Sequence, residues 1–259
     1  MSRRLVKLSV WLALLWPLAH AAPPAAAAPA SVSMSVSFAE QPASLVRGKS
    51  LYRAGRGVAL QQDDLLVSGG AVMQLDAGGA TLALGPATRL WIGSGGEIVL
   101  LEGWLKLQDR AGRALAVSTS VLRLETDAAT VTVHASGATT EVFAESGAVP
   151  LRELDGGKAR RAARLPSEQF GVRSGGQPLR VVARPPAAFL AAMPRDLRDE
   201  LVVPGTRAPS AAPRLDRAAT LAELLPWVAG HKALRQQLQR RYEPPRPAHL
   251  PSSTSLVRQ

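Results

Sequence analysis

Short apolar clusters separated by glycines recur along the middle of the chain. Between Ser37 and Val182 several of them alternate apolar with small or polar residues, as in Leu82-Ala83-Leu84, Leu122-Arg123-Leu124 and Val131-Thr132-Val133. An alternation with period two places the apolar side chains on one face of a β-strand. The pattern therefore predicts an all-β region of many short strands, arranged as a sandwich, barrel or solenoid.

Turn-forming residues bound these predicted strands. Glycine permits turn conformations at low steric cost and stops a helix from propagating, so each glycine-rich string is expected to end one strand before the next begins. The expected strands include Val72 to Leu75, Thr81 to Leu84, Arg89 to Ile92, Ile98 to Leu101 and Trp104 to Leu107; the turns between them include Gly78-Gly79, Gly85-Pro86, Gly93-Ser94-Gly95-Gly96 and Gly103.

The N-terminal residues have the pattern of an export signal. Three cations within the first seven residues precede the apolar stretch Leu8 to Leu18, and Ala19-His20-Ala21 provides the small residues of a signal-peptidase site. A proline and a histidine interrupt the apolar run before the roughly 20 residues that a membrane span needs. We therefore predict a signal peptide at 1–21, an Ala/Pro-rich linker at 22–36, periplasmic or secreted localisation, and no transmembrane helix after cleavage.

Helix signals follow the predicted β domain, which spans 37–183. Pro185 to Pro194 favours a short helical turn, and Thr220 to Glu223 fits a capping box. Leu234, Leu238 and Tyr242 are spaced four apart, as one stripe of a helix requires. These signals predict a linker with short helical turns at 184–217, a helical hairpin at 218–243 and a disordered tail at 244–259.

The order of residues in the β region resembles the FecR domain over about residues 40 to 175. The segments that carry the resemblance are Leu60 to Gly70, Ala71 to Leu75, Leu82 to Leu90, Leu101 to Leu105, Val117 to Thr119 and Val142 to Gly147. Asp63-Asp64 stands where the family has a glycine-aspartate pair, and Ser68 stands where it usually has threonine.

The resemblance implies a periplasmic all-β domain of the kind found in iron-dicitrate sensors, folded as a β-roll or short β-solenoid of many short strands. FecR-type proteins relay a signal from an outer-membrane transporter to a sigma factor. In typical members a cytoplasmic anti-sigma segment and a spanning helix precede the domain, whereas here an export signal does. We therefore expect a binding role in the envelope in place of direct sigma-factor control.

Charge divides the chain into two parts. The net charge is +11, and residues 151–259 hold 19 basic and 9 acidic side chains, against 9 and 11 in residues 22–150. The basic stretches Lys158 to Arg164 and Arg235 to Arg241 suggest, as an alternative function, binding of an anionic envelope polymer or lipid surface. Nucleic acid is not an expected partner outside the cytoplasm.

The sequence offers no set of catalytic, cofactor-binding or metal-ligating residues. It contains no cysteine, and its histidines, His20, His134, His231 and His249, have no metal-site spacing. The Gly93-Ser94-Gly95-Gly96 string is interpreted as a turn. Asp63-Asp64 is the only adjacent acidic pair in the β region, and on a strand the two side chains would diverge, so a solvated turn is expected there.

These observations predict a non-catalytic exported protein with an all-β fold and a small C-terminal helical hairpin. We expect it to be a binding, sensor or scaffold module that engages an envelope protein partner through the edges or loops of its sheet, with the hairpin as a second contact. Besides the anionic-surface alternative, a β-solenoid carbohydrate-active enzyme is a third interpretation, which requires two converging carboxylates.

Overall fold

Eighteen strands form the framework of the part of the chain that the structure describes. A computed structural model describes residues 33–110, 112, 114–202 and 209–244. The strands are β1 Met34–Ala39, β2 Ala43–Arg47, β3 Ser50–Ala54, β4 Ala59–Leu60, β5 Leu65–Val67, β6 Met73–Asp76, β7 Ala80–Leu84, β8 Arg89–Ile92, β9 Ile98–Asp109, β10 Leu115–Ser118, β11 Leu122–Thr126, β12 Thr130–Ser136, β13 Thr139–Ser146, β14 Val149–Asp155, β15 Lys158–Leu165, β16 Phe170–Ser174, β17 Arg180–Val182 and β18 Arg214–Ala218.

Helices are few and lie mostly after β17. They are α1 Ala187–Ala192, α2 Leu221–Leu224 and α3 Lys232–Tyr242, with 3-10 turns at Ser94–Gly96, Arg195–Leu197 and Leu225–Val228. The predicted capping box is confirmed, because the Thr220 side chain accepts a hydrogen bond from the Glu223 amide at the start of α2. The predicted all-β class with a small C-terminal helical part is therefore confirmed.

The strands pair into a continuous, curled and largely antiparallel sheet with two layers. Layer 1 has the order β4-β1-β6-β7-β9-β12-β13-β16-β17. Layer 2 has the order β18-β3-β2-β5-β8-β9-β10-β11-β14-β15. Only the pairing of β9 with β10 is parallel among the described strands. The sheet is thus a roll built mainly from antiparallel strands.

Strand β9 belongs to both layers. Its first half pairs with β8 in layer 2, and its second half pairs with β7 and β12 in layer 1. The sequence pattern predicts two strands separated by a turn at Gly103, and this detail is wrong because the chain continues as one strand through Gly103. Thr88 holds the crossing, since its hydroxyl accepts a hydrogen bond from Trp104 N at 3.0 Å and donates one to Trp104 O at 3.1 Å.

The main core lies between the two layers. Successive residues of one strand belong to different clusters: Leu45 faces the inter-layer core, whereas Val46 faces outward beneath the C-terminal helices. Leu90 and Trp91 of β8 divide in the same way. This division follows from the alternation of side chains along a strand, and it explains why the central strands are apolar on both faces.

The segments after β17 cover parts of both outer faces. On layer 1, Phe189, Met193 and Leu197 pack against Trp104 and Phe170. On layer 2, the helical segment places Leu224, Val228 and Leu238 on an outer cluster of layer-2 side chains that includes Trp91 and Leu101. These contacts position α3 beside the uncovered remainder of layer 2.

A buried lysine secures the cover on layer 1. Lys106 Nζ donates to the carbonyl oxygens of Leu197 at 3.1 Å and Asp199 at 2.8 Å, and it lies 2.7 Å from Glu145 Oε2. Gln108 adds two bonds, to Glu200 Oε1 and from the Leu201 amide. Every proton of the buried ammonium therefore has an acceptor, as a buried charge requires.

Two predicted linker boundaries need correction. Strand β1 begins at Met34, inside the range 22–36, and β18 (Arg214–Ala218) lies inside the range 184–217, where it pairs with β3. Pairing with a neighbouring strand gave both segments regular structure that their Ser- and Pro-rich surroundings did not indicate.

The predicted signal peptide and nearly all of the predicted tail lie outside the described residues. Among the described helices none combines the length and apolarity that a membrane crossing requires.

Candidate functional site

The outer face of layer 2 is covered by helices on one side only. Beyond β9 it is formed by β10, β11, β14 and β15, and the outward positions there carry Arg123, Arg152 and Arg164. The register places Arg123 of β11 opposite Arg152 of β14, and Arg164 of β15 opposite Pro150. The inward neighbours Leu124 and Leu151 belong to the main core. We call this surface, with Arg123, Arg152 and Arg164 at its centre, the arginine face.

The arginine face has more positive charge than its own acids neutralise. Arg123 lies 2.6 Å from Glu97 and 3.6 Å from Glu125. Arg152 and Arg164 are exposed, and neither forms an ion pair with another described residue. Like charges directly opposite each other on neighbouring strands repel. Arg152 and Arg164 therefore carry the charges that no described acid offsets, and the surface is suited to negatively charged groups.

Strand β15 forms the free edge of layer 2 beside this face. Its residues from Lys158 to Arg164 are almost all exposed, and its pairing with β14 shifts register opposite Glu153. Basic side chains and register irregularities both discourage another strand from adding to an edge. The geometry therefore favours recognition by charge on the sheet face over strand addition at β15.

A groove of about 520 Å³ separates the arginine face from helix α3. We call it the α3 groove. Its floor includes Val99 and Arg123, its far end is formed by the turns at Gly137 and Gly156, and the first turn of α3 supplies the opposite wall. The volume lies within the range of small-molecule sites, about 300–1,000 Å³. The floor and the wall come from separate parts of the chain, brought together when the helices pack on layer 2.

A partly exposed ion pair occupies the polar end of the groove. Glu97 Oε1 accepts hydrogen bonds from Arg123 at 2.6 Å and from the Ser118 hydroxyl at 2.6 Å. These three groups join the turn before β9 to β10 and β11. The remaining lining is largely apolar or glycine.

His231 lies at the N-terminus of α3 and lines the α3 groove. Burial lowers the pKa of its imidazole from about 6.5 to about 4. Its side chain does not cap the helix, although its carbonyl accepts the Arg235 amide at 2.9 Å. The imidazole is therefore neutral at neutral pH and contributes a flat, uncharged wall.

This pKa predicts an acid-sensitive contribution to stability. The neutral form is favoured in the folded state, so the contribution is complete above about pH 6.5 and is lost as the pH falls towards about 4. Between about pH 7 and pH 5, the free energy of unfolding of the wild type should fall by about 2 kcal/mol more than that of His231→Gln. Urea unfolding at the two pH values measures both changes. Equal losses in both proteins would show that His231 does not titrate in this way.

The acidic pair Asp63-Asp64 lies at a turn, as the sequence predicts, but only Asp63 is partly exposed to solvent. Asp64 is fully buried and accepts hydrogen bonds from Arg47 at 2.6 and 2.9 Å and from the Gln61 amide at 2.7 Å. Asp63 has a φ of 68° and accepts a hydrogen bond from Gln237 of α3 at 2.8 Å. Both carboxylates therefore hold the fold together, one between strands and one under the helix.

The other residues considered from sequence do not meet at one site. Gly93 to Gly96 form a turn before β9, closed by the Gly93 amide on Glu97 O at 2.7 Å. His134 lies on β12, where it stacks on Trp104 and contacts Glu141 at 2.9 Å, whereas His231 precedes α3. His20 and His249 lie outside the described residues. Within the described ranges, no group of three or more potential metal ligands is found.

Part of the second basic stretch is internal. Arg241 lies over the Trp91 ring at 5.3 Å and 3.7 Å from Asp63, so it helps to fasten α3 to layer 2. Arg240 and Arg235 are exposed on the same helix. The stretch Arg235 to Arg241 is therefore divided between packing and surface, whereas Lys158 to Arg164 is exposed along β15.

Residues that carry the FecR resemblance serve structural roles here. The Ser68 hydroxyl donates to Gly85 O at 2.6 Å and accepts the Thr88 amide at 2.8 Å, and Thr88 in turn holds Trp104. Together with Asp64 and Gly103, these residues fix the turns and the crossing strand. The resemblance therefore follows the architecture of the domain.

Arg123 and Arg152 are not among the basic residues that the sequence pattern predicts as a binding surface. The signal was present, because each arginine interrupts an apolar strand at a position that alternation directs away from the core. Their meeting depends on the pairing of β11 with β14, which are separated along the chain by the β12-β13 hairpin.

Comparisons with known proteins give limited matches. No family model and no curated protein matches the chain. Two crystal structures of a "putative anti-sigma factor" from Parabacteroides distasonis ATCC 8503, at 1.65 and 2.50 Å resolution, align with TM-scores of 0.38 and 0.36 and 15% identity. The alignments cover 46% of this chain and 58% of each of those chains, so the chain spans just over half the length of the structures it matches.

Proposed function

We propose that the chain is a non-catalytic binding module of the cell envelope that docks an acidic surface of a partner protein on the arginine face. The observation that carries the proposal is the exposed pair Arg152 and Arg164, which has no acidic partner among the described residues and lies beside Arg123. The sequence resemblance to the FecR domain supports a sensor or scaffold role. The export signal predicted at 1–21 supports action in the periplasm or outside the cell.

The contacts of the acidic side chains support a non-catalytic role. Asp63 and Asp64, the adjacent acidic pair of the β region, are engaged by Gln237 and Arg47. Glu97 at the α3 groove is bound by Arg123 and Ser118. A glycosidase needs two carboxylates that converge on one bond and are free to exchange protons, and these acids are held in structural pairs.

Charge reversal on the arginine face tests the proposal. With the full-length chain and poly-L-glutamate as the probe, Arg152→Glu with Arg164→Glu should weaken binding by about tenfold or more, since two attractive contacts become repulsive. Binding of the wild type should also weaken as salt is raised. Titration calorimetry at two salt concentrations measures both effects.

A matched double variant controls for net charge. Arg184→Glu with Arg195→Glu makes the same charge change at exposed positions after β17, in the segment that covers layer 1. It should leave binding within about twofold of the wild type, because these charges lie away from the arginine face. Equal weakening by both pairs would show that net charge alone drives binding, and the proposed docking surface would be wrong.

An anionic polymer or lipid surface is the second candidate partner. The observation in its favour is the edge strand β15, whose basic side chains and register shift suit it to charge contacts more than to strand pairing with a protein. Vesicles containing phosphatidylglycerol distinguish the candidates. Tight binding to these vesicles with weak binding to poly-L-glutamate would favour the lipid surface.

A further inference from the structure

The α3 groove has an apolar interior that the proposed docking on the arginine face does not use. Val99 and Val121 line its floor, Leu154 lies at the β14 end, and Ala233 and Leu234 face them from α3. The turns at its far end contain Gly137, Gly156 and Gly157, whose lack of side chains keeps this end open: at each of these glycines an added Cβ would contact nothing within 4 Å. The interior is thus suited to a slender apolar group.

Charge in the groove is confined to one wall. Glu97 is neutralised by Arg123, which leaves Lys232 as the lining residue whose charge has no acidic partner in the described chain. Lys232 is exposed and begins helix α3, where the backbone amides also favour an anion. His231 beside it is neutral, as described above. An occupant would therefore meet apolar contacts along its length and a positive charge at one end.

The polar groups on the groove floor are already engaged with one another. Ser118, Glu97 and Arg123 bond one another. A bound peptide would have to bury its amides and carbonyls against Val121, Leu154 and Leu234, and unpaired polar groups are costly to bury. A hydrocarbon chain carries no such groups.

We propose that the α3 groove binds a single-chain anionic amphiphile, such as a fatty acid or lysophospholipid, with the acyl chain among Val121, Leu154 and Leu234 and the acidic headgroup at Lys232. This inference goes beyond the docking of a partner on the arginine face. The ligand would be a small molecule of the envelope, and its site would lie under the helix that borders the docking surface.

A chain-length series tests the acyl part of the site. Titration calorimetry of the full-length chain with octanoate, decanoate and dodecanoate should show affinity rising by about fourfold for each methylene buried. The methyl ester of dodecanoate should bind about fivefold more weakly than dodecanoate, because it lacks the charge that Lys232 meets. Inorganic phosphate distinguishes an amphiphile site from a simple anion site, and it should not compete with dodecanoate.

Two substitutions test the location, each with a readout of folding. Ala233→Trp places a large side chain in the groove from an exposed helix position and should weaken dodecanoate binding by about tenfold or more. Ala222→Trp, at an exposed position of α2 outside the lining, is the matched control and should bind as the wild type does. Ala138→Trp fills the groove from its far end and tests the same site. It replaces Ala233→Trp if circular dichroism shows that Ala233→Trp does not fold.

The outcomes separate this inference from the proposed function. If Ala233→Trp loses dodecanoate but retains poly-L-glutamate, the groove binds the amphiphile and the arginine face acts separately. If Ala233→Trp and Ala138→Trp both fold and bind dodecanoate as the wild type does, the groove inference is overturned. This conclusion does not depend on how either variant binds poly-L-glutamate. Equal affinity for dodecanoate and its methyl ester would overturn the assignment of the headgroup to Lys232. Loss of poly-L-glutamate binding in Arg152→Glu with Arg164→Glu bears only on the docking surface.

Discussion

Replacing Arg173 by methionine is expected to lower the free energy of unfolding by about 3–5 kcal/mol. Arg173 lies on β16 in layer 1 and is 4% exposed, yet its guanidinium donates to the carbonyl oxygens of Val121 and Leu154 in layer 2. Its Nε also lies 3.4 Å from the buried Glu153 carboxylate. Methionine would fill much of the volume but leave the buried Glu153 carboxylate without its cation and remove the guanidinium donor from both carbonyls, of which Val121 O would keep the Leu154 amide.

Urea unfolding followed by tryptophan fluorescence measures the loss. Arg184→Met is the matched control, because Arg184 is exposed and forms no ion pair with another described residue; it should change stability by less than about 0.5 kcal/mol. The double variant Arg173→Met with Glu153→Gln should recover part of the loss, since the uncompensated charge is removed. A loss below about 1 kcal/mol for Arg173→Met would contradict a buried clamp between the layers.

The clamp connects the fold to the candidate site. Val121 and Leu154, whose carbonyls Arg173 holds, both line the α3 groove. The groove floor is therefore tied to layer 1, while its opposite wall is tied to layer 2 through Asp63, Gln237 and Arg241. Interiors pack densely and transmit strain, so variants that loosen Arg173 should disturb ligand binding as well as stability.

The fold class could be predicted from sequence because it depends on local chemistry. Alternation in segments such as Leu122-Arg123-Leu124 and glycines between clusters indicate strands and turns without knowledge of their partners. The helices can be predicted in the same way, because their signals lie close together in the sequence. These signals are the capping pair Thr220 and Glu223 and the apolar stripe through Leu238. Strand β18 escaped prediction because its pairing with β3 joins residues far apart in the chain.

The candidate site depends on register, which the sequence alone does not determine. Arg123 and Arg152 become neighbours only when β11 pairs with β14, and Lys232 and Leu154 line one groove only when α3 packs on layer 2. Asp64 illustrates the same limit, since adjacency to Asp63 favoured a surface turn, while burial against Arg47 could be known only after β2 and β5 were paired. Charge asymmetry pointed to the basic half of the chain but not to one face.

Replacing Gly103 by alanine is expected to destabilise the protein by about 3 kcal/mol or more, as the sum of backbone strain and a steric conflict. Gly103 has a φ of 99°, and an added Cβ would lie 2.5 Å from Thr88 Oγ1 and 2.8 Å from Thr88 Cα. The hydroxyl cannot withdraw freely, because it holds both the amide and the carbonyl of Trp104. Alanine would therefore push apart the contact at which β9 passes from layer 2 to layer 1.

Comparison with Gly48→Ala separates the two causes. Gly48 also has a positive φ, 61°, but an added Cβ there would meet nothing within 4 Å, so only the backbone cost of about 1–2 kcal/mol is expected. Thermal and urea unfolding of both variants give the difference directly. A Gly103→Ala loss equal to that of Gly48→Ala would show that Thr88 does not fix the crossing. A larger loss for Gly103→Ala would show that the two layers are joined through the close approach of Gly103 to Thr88. The outward faces that carry α3 and the arginine side chains would then depend on the same contact.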